Sequence, residues 1–136
     1  MKISEVTFLP LSAGLMFYPS LVLQVALDGA QSTYYGFPLP WNASSTVISL
    51  AKNIYWLPLI VDIFFYSILG YIVCKYISKY IAGWPPVVKQ MVLASIWLYG
   101  LVSVWLMTGI LSLDSMQYFW LYDNFKVISF ASGFSV

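Results

Sequence analysis

One carboxylate in this chain stands where a carboxylate is costly. Asp62 falls about ten residues into an apolar stretch that runs from about Asn53 to Tyr76, with Tyr66 at i+4, Gly70 at i+8, and Ser67 and Cys74 beside that helical stripe. An ionisable group at such a depth usually faces a bundle interior or a watery cavity, and is a functional candidate by default. Three chemistries fit it. Asp62 could be neutral and bonded to Tyr66 or to a hydroxyl across a helix interface, charged and paired with a partner protein, or a station in a proton relay. The apolar stretch from about Val88 to Leu113 offers Ser95, Gly100, Ser103 and Thr108, small or hydroxylated positions that let membrane helices approach and hydrogen-bond.

The rest of the inventory excludes more than it supports. With no histidine and one cysteine, the chain cannot by itself assemble a zinc, copper, haem or iron–sulfur site, which need several imidazole or thiolate ligands. No cofactor is expected. Asp28, Asp114 and Asp123 stand at no metal-ligand spacing, and there is no phosphate-binding loop, dinucleotide fingerprint, or nucleophile with a base nearby. Catalysis is therefore not expected. Cys74 fits a packing role better than a redox role, with palmitoylation as the alternative for a cysteine at a helix end. Nucleic-acid binding lacks a basic patch.

Composition says what positions these residues. The 136 residues are 61% hydrophobic and only 8% charged, where an ordinary soluble domain carries roughly 25% charged residues. Mean hydropathy is +0.83. Three apolar stretches, at about residues 7–27, 53–76 and 88–113, each approximate the ~20 residues that cross a bilayer. The expected fold is an all-α membrane protein of three transmembrane helices in one domain. An external loop, residues 28–52, and an aromatic tail, residues 114–136, complete it. Pro10, Pro19 and Gln24 interrupt the first stretch. A cleaved signal peptide fits it less well, because Glu5 offsets Lys2 and Asp28 occupies the position where a small residue is wanted.

The lysines orient the helices. Lys2, Lys75, Lys79 and Lys89 fall on one side of an alternating three-helix path, against Lys52 and the distant Lys126, which the positive-inside bias reads as a cytoplasmic N-terminus and an external C-terminus in the plasma membrane. Tyr55 and Trp56 then mark the outer interface, and Tyr76, Tyr80 and Trp84 the inner one.

Between the first two stretches lies STYYGFPLPWN, residues 32–42. Phe37 and Leu39 each precede a proline and are pushed toward extended geometry, while Gly36 can take a positive φ at a turn. A stiff loop loses little entropy on docking. Tyr35, Phe37 and Trp41, held by Pro38 and Pro40, are candidate docking residues for a partner subunit. Folding back onto the chain's own helix tips or the lipid headgroups is the alternative. Asn42 opens the glycosylation sequon Asn42-Ala43-Ser44.

The loop YGFPLPW with the following WLPLIVDIFFYSILGYIV resembles a group of small, functionally uncharacterised prokaryotic multi-pass membrane proteins that carry a GFPLPW-type external loop before an Asp-containing transmembrane helix. The resemblance covers residues 34–74. It implies a topology and no activity.

The tail is too apolar for a solvated end. Its ring cluster, Tyr118, Phe119, Trp120, Tyr122 and Phe125, must cover lipid interface or protein, and Trp120 joins the docking candidates. Two functions follow from these residues. The first is a non-catalytic accessory subunit of a larger membrane complex, one with redox or energy-converting chemistry in its other chains, so that the partners are larger membrane subunits and lipid. The second is a homo-oligomeric ion or proton pore that gathers copies of Asp62.

Overall fold

The computed structural model of the chain describes residues 3–17, 20–27, 33–44, 51–110, 112–117 and 125–133. In chain order these form α1 (Ile3–Phe17), β1 (Ser20–Leu27), β2 (Thr33–Gly36), β3 (Asn42–Ser44), β4 (Ala51–Tyr55), α2 (Trp56–Tyr80), α3 (Pro86–Ile110), β5 (Ser112–Gln117) and β6 (Phe125–Gly133).

The long helices begin and end where their sequences dictate. Pro58 sits in the first turn of α2, where a missing amide hydrogen costs nothing because first-turn amides have no intrahelical acceptor. At the other end the Ile81 N–H bonds Ile77 O at 2.9 Å and the Trp84 N–H bonds Ile81 O at 3.0 Å, turning the chain before Pro86 opens α3. Lys89 donates from Nζ to the Ala82 carbonyl at 2.7 Å, placing a cation just past the C-terminus of α2, where the helix dipole favours it.

The two long helices turn their apolar side chains outward. In α2 the buried residues are Pro58, Asp62, Tyr66, Gly70 and Cys74, one ridge at a spacing of four, while Phe64 and Ile68 are 67% and 62% exposed. In α3, Leu98, Leu101 and Trp105 are exposed, and Ser103 is buried. A helix at the surface of a soluble domain shows the opposite pattern. Both helices are long and apolar enough to cross a bilayer.

The short helix α1 lies against both. Close approach is possible because glycines stand at the crossings: a Cβ on Gly70 would strike Ser12, and one on Gly100 would strike Pro10. Thr7 Oγ1 lies 3.5 Å from Cys74 Sγ, so α1 starts beside the far half of α2. Its end reaches the sheet end, where Met16 packs with Tyr66 of α2 and Met107 of α3.

A six-stranded sheet, in the order β5-β4-β3-β2-β1-β6, closes that end. β4 runs directly into α2 and β5 directly out of α3, and these two strands pair in parallel. A parallel pair needs a crossover, and the α2–α3 hairpin provides it. The other neighbours pair antiparallel.

Several sequence expectations change here. The expected three helices are present, but the class is not all-α. The first apolar stretch is a helix only to Phe17, and residues 20–27 are a strand. The physical reason lies in Pro19, which lacks a helical amide donor and biases its predecessor away from α geometry. At 15 residues, α1 rises only about 22 Å, less than the ~30 Å hydrocarbon core. The loop expected at 28–52 contributes β2, β3 and the start of β4, and the expected tail contributes most of β5 and all of β6. β6 pairs with β1 from Ser20 to Leu27, so this part of the tail is sheet within the same chain, not an interfacial segment.

Candidate functional site: a buried carboxylate beneath an aromatic loop

Asp62 is fully buried. Above it the chain leaves β2 at Gly36, whose φ is +145°, a backbone region that strongly favours glycine. The position is also crowded, since a Cβ there would lie 2.5 Å from Leu39 O and from Trp41 Cδ1. The Phe37-Pro38 peptide is cis, and the Trp41 N–H closes the turn on Tyr35 O at 2.9 Å. The Leu39 N–H then donates to Asp62 Oδ1 at 3.0 Å, and the Phe37 amide also faces the carboxylate. Asp62 Oδ2 has no hydrogen-bond partner among the described residues.

The rings fasten the same turn. Trp41 is 2% exposed and packs with Met16, Ile54, Tyr66 and Met107, joining loop, sheet and all three helices in one cluster. Phe37 meets both Phe65 and Phe130 of β6 edge-on at 5.5 Å, an arrangement that adds to simple area burial. The Trp41 carbonyl accepts from the Tyr55 N–H at 2.8 Å. A second small core of Val25, Tyr34, Ala43 and Tyr55 lies within the sheet.

The structure therefore brings Asp62, Tyr66, Phe37, Pro40 and Trp41 to one place, with Tyr35 and Pro38 half-buried at its rim. Of Asp62, weighed from sequence as bonded to Tyr66 or a hydroxyl, paired with a partner protein, or part of a proton relay, the structure shows a hydrogen bond to a loop amide. Trp41 and Pro40 lie inside the chain, so docking through them would require them to leave that interior. Asn42 is 1% exposed, which leaves no room for a glycan on its side chain. Tyr55 is buried in the sheet rather than standing at an outer interface. Trp120 lies outside the described residues. Cys74 is buried against Thr7, in keeping with packing and closed to an acyl group.

Sequence reasoning missed Leu39, Met16, Ile54 and Met107. A signal for Leu39 was available. In GFPLPW, prolines remove the amide donors at positions 38 and 40, so a buried loop needs acceptors only for the remaining amides, and a carboxylate is a strong one. No protein-family model, curated protein or solved structure matches this chain, and the site is read from its own geometry.

Proposed function

We propose that the chain is a multi-pass plasma-membrane protein that serves as a non-catalytic accessory subunit of a larger membrane complex. On this reading α2 and α3 cross the bilayer and the sheet caps the outer face. The observation that carries the reading is the bond from the Leu39 amide to Asp62: the ionisable group in the helix interior is engaged in holding the cap. The apolar exteriors of α2 and α3 supply the surface for lipid and for the helices of larger subunits. Lys75, Lys79 and Lys89 stand at the hairpin end, with the start of α1, which supports a cytoplasmic hairpin and N-terminus and an external C-terminus. Phe130, 57% exposed beside Phe37, keeps part of the aromatic cap available to a partner.

One observation favours a second reading. The free Oδ2 of Asp62 suits a homo-oligomeric ion or proton carrier. Purification from native membranes in mild detergent separates the two. Co-purification at a fixed ratio with larger subunits is the expected result, and a symmetric ring of this chain alone would replace the subunit reading with the carrier.

A further inference from the structure

The outward face of α2 changes character along its length. Phe64 and Ile68 are bare apolar side chains, and beyond them Tyr71, Ile72, Lys75, Tyr76 and Lys79 line an open groove of about 410 Å³. Lys75 and Lys79 stand four residues apart, neighbours on one helix face, where like charges repel and an anion between them is stabilised. Among the described residues that line the groove there is no carboxylate. Lys89, the other described lysine at this end, is engaged with the Ala82 carbonyl, and Glu5 falls in the first turn of α1.

The depth of the groove matters as much as its charge. Tyr76 and Tyr80 are 71% and 78% exposed, and the Tyr80 ring stacks edge-on with Trp84, the kind of aromatic belt that marks headgroup level. The groove lies where the apolar exterior of α2 gives way to that belt.

We infer that this groove binds the phosphate of an anionic phospholipid, with Lys75 and Lys79 as counter-ions, a Tyr71 or Tyr76 hydroxyl as donor, and an acyl chain along Ile72, Ile68 and Phe64. The inference rests on the membrane reading above. A zwitterionic headgroup would bring its own cation against the two lysines, so the site selects for net negative lipid. The continuous apolar stripe beneath distinguishes a lipid from free phosphate, which has no use for it.

The test uses the full chain in mild detergent, exposed to equal amounts of phosphatidylglycerol and phosphatidylcholine, with retained lipid read by native mass spectrometry. The expected result is preferential retention of phosphatidylglycerol, falling by roughly fivefold for each lysine neutralised near the charged headgroup. Lys75→Gln with Lys79→Gln therefore removes the preference, Lys75→Arg with Lys79→Arg keeps it, and Lys89→Gln leaves it in place. Equal retention of both lipids, or a preference surviving the double glutamine variant, overturns the site. Displacement of the lipid by excess inorganic phosphate also overturns it, in favour of a soluble anion. Alkaline carbonate extraction isolates the underlying premise: a chain released from membranes defeats the membrane reading itself, whereas one that stays inserted without lipid preference defeats only this site.

Discussion

Replacing Asp62 tests the loop fastening at the level of one hydrogen bond. Asp62→Leu removes the acceptor 3.0 Å from the Leu39 amide while leaving a side chain of similar bulk, so the cavity term is small and the cost is that of a stranded donor. A buried donor left without its partner costs about 1–3 kcal/mol, or about 5- to 140-fold in the equilibrium between seated and unseated loop. Asp62→Asn keeps a side-chain carbonyl able to accept from the same amide, a cost of less than about 1 kcal/mol. Hydrogen–deuterium exchange on the full chain in detergent micelles measures this directly. Peptides spanning Phe37–Trp41 should exchange faster in the leucine variant by that factor and nearly normally in the asparagine variant, while peptides from the middle of α3 stay protected in both. Wild-type exchange in Asp62→Leu would refute the fastening. Equally fast exchange in both variants would refute the acceptor argument and point to the charge itself.

Trp41→Ala should cost about 3–5 kcal/mol, the usual range for deleting a buried aromatic ring, because Trp41 joins loop, sheet and helices. A thermal melt in detergent should show a large fall for it and a small one for the exposed Phe130→Ala, and equal falls would count against that cluster as the junction of cap and bundle. Gly100→Leu should dislodge α1, since any Cβ there meets the Pro10 backbone carbonyl. Overpacking of this kind costs about 1–3 kcal/mol, and an unchanged melting temperature would deny the close crossing. In a Cys74→Ser background, Gly83→Cys in the hairpin turn, where added atoms meet nothing within 4 Å, should react with membrane-impermeant maleimide only after cells are opened. Phe130→Cys should react in intact cells, and the reverse pattern would invert the orientation.

The helices of this fold were legible because their signal is coarse. Twenty or so apolar residues suffice to mark α2 and α3, and the spacing of Asp62, Tyr66 and Gly70 already placed them on one face, which the structure buries. The strand at residues 20–27 was hidden by the same coarseness. SLVLQVAL is as hydrophobic as a helix of that length, and its period does not decide between them. Pro19 was the discriminating residue, and carrying the first apolar stretch through it as a single span extended α1 by ten residues, from Phe17 to Leu27. The sheet partners were less visible still, since β1 finds β6 across the whole of residues 28–124. Pairing at that distance leaves no local mark in the chain. The site was half legible: Asp62 stood out by cost, but its partner is a backbone amide, which every residue except proline carries.

The prolines of the aromatic loop acquire a specific purpose from that amide accounting. Because α1 starts beside the far half of α2 and meets Tyr66 near its end, the part of α2 nearest the sheet is covered by the turn from Gly36 to Trp41 instead of by helix. Asp62 lies six residues inside α2, about 9 Å along its axis. Were α2 to cross a bilayer as proposed, irregular backbone at such a depth would be tolerated only when buried in protein with its polar groups satisfied. The turn places its donors accordingly. The Gly36 position pairs with Leu23 of β1, Phe37 and Leu39 turn toward Asp62, Trp41 bonds Tyr35 O, and positions 38 and 40 have no donor to satisfy. A turn of the same length without prolines would bring two more amides to a buried site where Asp62 Oδ1 is already engaged. The aromatic rings then fill the volume that a longer α1 would have filled. The stiffness of GFPLPW is thus foremost a means of placing non-helical chain against the buried ridge of a long apolar helix.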